Sequence, residues 1–175
     1  MIEMKKLLIL FALLAFGLTA SAQELYCTFV QSKTLKATGK VIPGEGKITF
    51  TAPDHLKMTY DVPAGEYLII EGMTMKSCVK GKEVVFDTTK NPRMRKMRNT
   101  LLNCITGNYE KAAEENDATL IVEQKGDLKC VNIMARQQQP SGYARIAMDY
   151  DKKGLPVRMV LDEFSGIVTE YTFKY

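Results

Sequence analysis

Residues 46–72, GKITFTAPDHLKMTYDVPAGEYLIIEG, constrain the fold more than any other stretch of the chain. Ile48 and Phe50 share one face of a strand, and Leu56, Met58, Tyr60 and Val62 share one face of the next. Lys47, Thr49, Lys57, Thr59 and Asp61 point the other way. Successive side chains alternate across a sheet, so this period of two calls for one dry face and one wet face. Asp61-Val62-Pro63-Ala64-Gly65 then turns the chain into Glu66–Glu71, apolar on both faces at Leu68, Ile69 and Ile70.

The alternation recurs on either side. Glu24–Lys36 reads as a strand, and Pro43-Gly44-Glu45-Gly46 as the turn that returns it. Met73, Met75 and Val79 lie at even spacing, and Lys80-Gly81-Lys82 turns into Glu83–Asp87, with Val84 and Phe86 in step. Asn91-Pro92 changes the period: Asn suits an N-cap and Pro a first helical position. Over Arg93–Thr106 a helical projection gathers Met94, Met97, Leu101 and Ile105 into one stripe, flanked by Leu102 and Cys104. Gly107-Asn108 ends that helix, and Tyr109–Asn116 predicts a second, short and acidic one.

Strands return from Asp117. Thr119–Gln124, Leu128–Ala135, Tyr143–Tyr150, Leu155–Phe164 and a final strand from Ile167 are joined by short glycine-bearing turns. Ala144, Ile146, Met148 and Tyr150 share a face, as do Met159 and Leu161, and Tyr171 and Phe173. The fold class is therefore mainly β: roughly ten strands in an antiparallel meander that curls toward a barrel. A sheet of that size with one apolar face must close, pair or be covered. The helical insertion at about 91–116 is the candidate cover.

The first stretch stands apart from this domain. Lys5 and Lys6, the apolar run Leu7–Leu18 and Ala20-Ser21-Ala22 compose a secretory signal peptide over residues 1–22, leaving one domain over 23–175. Export to a bacterial periplasm is the expectation. Cys27 follows Tyr26, not the small residue a lipidated cysteine needs, so the mature chain is expected to be unanchored. Of the formal charge of +4, residues 1–22 carry +1 (Lys5, Lys6 and Glu3), which leaves +3 and favours no partner; export further disfavours nucleic acid.

Cys27, Cys78, Cys104 and Cys130 would meet an oxidising compartment, and two, one or no disulfides all remain open. There is no C-x-x-C and only one histidine, so no metal and no cofactor is expected. A thiol nucleophile from Cys27 or Cys78 with His55 finds no supporting signature, nor is there a phosphate-binding glycine loop. The chain is not expected to be an enzyme.

Two occupants of the dry face compete: an ordinary packed core, or an apolar guest. The inward methionines (Met58, Met73, Met75, Met148 and Met159) and the absence of tryptophan suit a surface that adapts to guests of varying shape. A further pattern is carried by Phe29-Val30-Gln31, Gly46-Lys47-Ile48-Thr49-Phe50, Pro53, Leu56-Lys57-Met58-Thr59-Tyr60, Pro63 and Ile69-Ile70-Glu71-Gly72. It continues in Leu155-Pro156, Asp162 to Gly166 and Tyr171-Thr172-Phe173. In that order and spacing the chain resembles the outer-membrane lipoprotein carrier (LolA) family over nearly all of its mature length. The resemblance implies an incomplete antiparallel β-barrel (half-barrel) covered by a helical lid, carrying lipoprotein acyl chains across the periplasm. It also implies an inner-membrane lipoprotein-releasing ABC transporter as donor and an outer-membrane acceptor; the carrier itself is expected to be a monomer.

On this reading the cavity is lined by Phe29, Ile48, Phe50, Leu56, Met58, Tyr60, Leu68, Ile70, Met73, Met75, Phe86, Ile146, Met148, Met159, Tyr171 and Phe173. The lid contributes Met94, Met97, Arg98, Leu101, Leu102 and Ile105. The chain departs from the family's pattern by lacking a helix before Phe29-Val30-Gln31 and by lacking tryptophan. It also has Ala52 where the family's lid-locking arginine precedes the proline. Arg98 projects about 40° from Met94, inside the lid's apolar sector. By default its stem snorkels and its head reaches water; alternatively it hydrogen-bonds strand-end carbonyls, a lock reversed in direction. Arg93, Arg95 and Lys96 are expected on a solvated face.

The physical case for such a carrier stands on transfer energies. Each methylene kept from water is worth about 0.8 kcal/mol, so two or three acyl chains in water cost tens of kcal/mol. A lid whose own apolar stripe competes with the cargo permits release. The alternative of a different class is a lipid or envelope-stress sensor domain of the same shape, signalling through a protein partner.

Overall fold

The computed structural model describes residues 24–175; the expected signal peptide lies outside them. In chain order the elements are β1 (Glu24–Leu35), β2 (Lys40–Thr51), β3 (His55–Val62), β4 (Tyr67–Glu71), β5 (Thr74–Val79) and β6 (Lys82–Asp87). Helices α1 (Pro92–Ile105) and α2 (Tyr109–Glu115) follow, and then β7 (Ala118–Lys125), β8 (Leu128–Ala135), β9 (Tyr143–Tyr150), β10 (Pro156–Glu163) and β11 (Ile167–Lys174). The eleven strands form one sheet in the order β6-β5-β4-β3-β2-β1-β11-β10-β9-β8-β7. Every ladder is antiparallel, and all but one join consecutive strands. The exception is β1 with β11, from Thr28↔Lys174 to Leu35↔Ile167, which brings the first and last strands together at the middle of the sheet.

β6 and β7 are the outer strands and do not pair with each other, so the sheet is an open half-barrel. The chain crosses between these two edges through α1 and α2. Those helices supply the cover that a curled sheet with one apolar face requires.

The alternation expected from sequence sets the concave face. Leu25, Cys27 and Phe29 on β1, Ile48 and Phe50 on β2, and Leu56 and Met58 on β3 are buried, while Lys47, Thr49 and Lys57 are exposed. Burying a side chain of this size contributes about 1.5–3 kcal/mol each, so a register slip of one residue would forfeit the whole face.

Two local readings are corrected. Pro43-Gly44-Glu45-Gly46 is not a turn but part of β2; the chain turns earlier, at 36–39, where Gly39 adopts φ +66° and its N–H donates to the Leu35 carbonyl at 2.8 Å. Glycine at 46 answers to crowding instead: a Cβ there would stand 2.0 Å from the Thr59 carbonyl oxygen and 3.0 Å from Phe29 Cζ. Pro43 pairs with Ser32, and β3 reaches only to Glu45↔Val62, so the proline sits where β2 has an open side. Val62, expected inward, is 45% exposed, because the register shift at Glu45/Gly46 ends the alternation before it.

The lid helix starts as its sequence dictates. Asn91 Oδ1 accepts from Met94 N–H at 3.1 Å, with Pro92 in the first turn. Its inward face is broader than the expected stripe: Arg98, Thr100, Leu101, Leu102, Cys104 and Ile105 are buried, whereas Met94 and Met97 are only half-buried.

Candidate functional site

The concave face and the lid make one apolar cluster. Phe29, Ile48, Phe50, Leu56, Met58, Ile70, Met75, Ile146, Met148, Met159 and Phe173 from the strands are joined there by Leu101, Leu102 and Ile105 from α1. Tyr60, Leu68, Phe86, Met97 and Tyr171 pack at its margin. Met73 does not belong: it stands 52% exposed, because its place is the turn between β4 and β5. The helices fill the hollow themselves. With the lid in place, Met58, Met75, Met148 and Met159 are at most 2% exposed.

Polar bonds hold the lid at three places. Arg98 is buried, and each of its guanidinium nitrogens has a partner: Nε donates to the Gly72 carbonyl at 2.6 Å, Nη1 to Asn99 Oδ1 at 2.9 Å, and Nη2 to Asp54 Oδ2 at 3.0 Å. Gly72 and Asp54 lie on the β4–β5 and β2–β3 turns, so one side chain ties α1 to two neighbouring hairpin ends. The snorkelling expected by default does not occur; acceptors at the sheet's end replace water. On the other half of the sheet, the Tyr150 hydroxyl donates to the Cys104 carbonyl at 2.7 Å. Asn116 Nδ2 donates to Thr100 Oγ1 and to the Ala112 carbonyl, both at 2.8 Å, and so binds the two helices together.

Sequence reasoning missed Asp54, Tyr150, Thr100 and Asn116. Tyr150 carried a signal, since it closes an inward run and a buried phenol needs an acceptor. Asp54 carried none, because its pairing crosses from a turn to a helix 44 residues away.

Free space remains at several places beside the filled interior, including a polar hollow of about 650 Å³ beside Asp54, Arg98 and Leu102. A groove of about 480 Å³ opens where the β1–β2, β3–β4 and β5–β6 turns converge, with Gln31, Ile42, Tyr60, Leu68 and Tyr171 among its walls. A cleft of about 310 Å³ lies between the start of α1 and the start of β9, bounded by Arg93, Lys96, Met97, Tyr143 and Glu163.

All four cysteines are free thiols. Burial pushes the Cys27 thiol up to about 11, against a lowering hydrogen bond with Tyr175, and burial alone pushes Cys104 up to about 12. Neither is poised as a nucleophile. The lone histidine, His55, is an exposed neighbour of Asp54, with Nε2 at 3.8 Å from Asp54 Oδ1.

The model of the family described as outer membrane lipoprotein carrier protein LolA matches residues 20–175, nearly the whole chain. The chain belongs to that family. Among solved structures, a LolA superfamily protein from Nitrosomonas europaea is similar at 7% identity, over 89% of this chain and 86% of that one, with a TM-score of 0.41. A lipoprotein-sorting protein domain from Vibrio parahaemolyticus is similar at 8% identity, over 87% and 83%, with a TM-score of 0.40. A DUF1329 family protein from Desulfovibrio piger is similar at 12% identity, over 89% and 85%, with a TM-score of 0.39. No curated protein matches the chain.

Residue 52, before Pro53, is alanine, and the guanidinium that reaches Asp54 comes from α1, as Arg98. Among the described residues no helix is long and apolar enough to cross a membrane.

Proposed function

We propose that this chain is a soluble periplasmic carrier of lipoproteins. Acyl chains take the place of α1 against the concave methionines and aromatics, and the lid returns as they leave. The observation that carries this reading is the filling of an open half-barrel by a single helical insertion, held by Arg98 and Tyr150, in a chain of this family.

The energetics suit reversible loading. Leu101, Leu102 and Ile105 already cover the concave face, so cargo gains only the difference between its own apolar area and the lid's. Affinity is thereby kept below its maximum, and handover needs no chemistry. Cargo would come from an inner-membrane lipoprotein-releasing ABC transporter and pass to an outer-membrane acceptor. The chain works as a monomer, without cofactor and without catalysis.

Native mass spectrometry of the protein recovered from periplasm tests the reading. Adducts with the mass of diacylated or triacylated lipoproteins are expected. Protein that carries no acylated adduct, and takes none from lipoprotein-loaded inner membranes supplied with ATP, contradicts it.

A further inference from the structure

Gln31 ends the Phe29-Val30-Gln31 motif, and the packed interior does not use it. Phe29 divides that interior from the groove at the convergence of the three turns: its ring meets Tyr60 edge-on at 5.1 Å and Tyr171 at 5.7 Å. Beyond the ring, three polar side chains stand in a row. The Tyr60 hydroxyl donates to Gln31 Oε1 at 2.9 Å, which commits its only proton. The 3.4 Å contact between the two phenol oxygens is therefore a donation from Tyr171 to Tyr60.

That row has a direction, and it terminates in an amide. Gln31 Oε1 is occupied, while Nε2 has no bond to a protein group among the described residues and, not being a sealed unpaired atom, is open to the groove. Yet Gln31 is 91% buried (9% exposed) and lines the groove. Successive donations polarise the amide and strengthen its free N–H groups as donors. Burial raises the pKa of both phenols, so the row stays protonated across the physiological range. Lys33, Lys80 and Glu66 line the same groove, and the Glu66 carboxylate accepts the Lys80 backbone N–H at 3.1 Å. The Tyr171–Tyr60–Gln31 row is itself uncharged, and a neutral acceptor is sufficient to satisfy its amide N–H.

We propose that this groove is a carbonyl subsite, in which the ester or amide C=O of an acylated ligand accepts from Gln31 Nε2 while its alkyl part lies against Ile42 and Leu68. It rests on the carrier reading and adds which part of the cargo is recognised by a directional bond. Apolar burial cannot distinguish an acyl chain from any other alkyl chain; a donor at this place can.

Calorimetric titration of the delipidated protein with a short-chain diacylglycerol and with its dialkyl ether analogue, which lacks the carbonyls, tests the proposal. One net neutral hydrogen bond corresponds to about a threefold to tenfold preference for the diacyl probe. The ratio of the two affinities falls to about one in Gln31→Met, which keeps the side-chain length without a donor, its folding checked by thermal melting. Equal affinities in the unaltered protein overturn the subsite and leave the carrier reading standing. Failure of both probes to bind overturns both, and a preference that survives in folded Gln31→Met overturns the assignment to Gln31.

Discussion

Arg98 on the lid helix and Asp54 on the β2–β3 turn stand 3.0 Å apart, with side chains only 9% and 26% exposed. Solvent screens such a pair weakly, unlike Lys152 with Asp127, whose side chains are 70% and 73% exposed. The same guanidinium also donates to the Gly72 carbonyl, so at this end of the sheet one lid residue has two independent acceptors.

Arg98→Ala should lower unfolding free energy by about 1–3 kcal/mol, since it leaves a carbonyl and a part-buried carboxylate without their donor. Amide exchange should quicken along α1 while β1 and β11 stay protected. Asp54→Asn should cost less, because Arg98 keeps the Gly72 carbonyl. Denaturant titration with hydrogen exchange measures both. An unchanged α1 in Arg98→Ala contradicts the fastening.

Tyr150→Phe removes the donor to the Cys104 carbonyl inside the core, where Tyr150 is 2% exposed. The expected loss is about 0.5–1.5 kcal/mol, the net worth of one hydrogen bond, because the Cys104 carbonyl still accepts from the Gly107 N–H at 3.4 Å. Faster exchange should be confined to the C-terminal half of α1.

Two glycines separate crowding from backbone conformation. A Cβ at Gly46 meets the Thr59 carbonyl oxygen at 2.0 Å, so Gly46→Ala should cost about 3 kcal/mol or more, or abolish folding. Gly154, at φ +77° with open space around it, should cost only about 1–2 kcal/mol as alanine. Thermal denaturation of the two variants ranks them; the reverse order would contradict the close approach of β2 and β3.

The period-two pattern made the strands and the concave residues from Ile48 to Met58 legible, because a half-wet sheet leaves that signature in any sequence. The helix was legible through Asn91 and Pro92. Gly44 and Gly46 misled, since glycine that relieves crowding inside a strand reads the same as glycine in a turn. Arg98 was visible as an anomaly on an apolar stripe, but its acceptors belong to turns far away in sequence. Gln31 was noticed only as part of a motif: which of its amide atoms is engaged depends on Tyr60 and Tyr171, which the sheet brings to it from other strands.

Stability should fall on the alkaline side. Cys27 and Cys104 hold their protons up to about 11 and about 12 in the fold, against an ordinary 9.0. The folded state therefore binds more protons than the unfolded state above pH 9. This contribution is complete below that pH and is lost as pH rises through the folded values, by about 1.4 kcal/mol per pH unit for each thiol. Urea titrations between pH 9 and 12 should show the midpoint falling; a flat profile contradicts the burial of these thiols.

Hydrogen exchange across residues 97–105, with and without a bound triacylated lipoprotein, tests the central claim most directly. If acyl chains displace the lid, protection of the α1 amides should drop on loading while the amides of β1, β2 and β11 hold theirs. Cargo that binds tightly with α1 as protected as before would contradict the account.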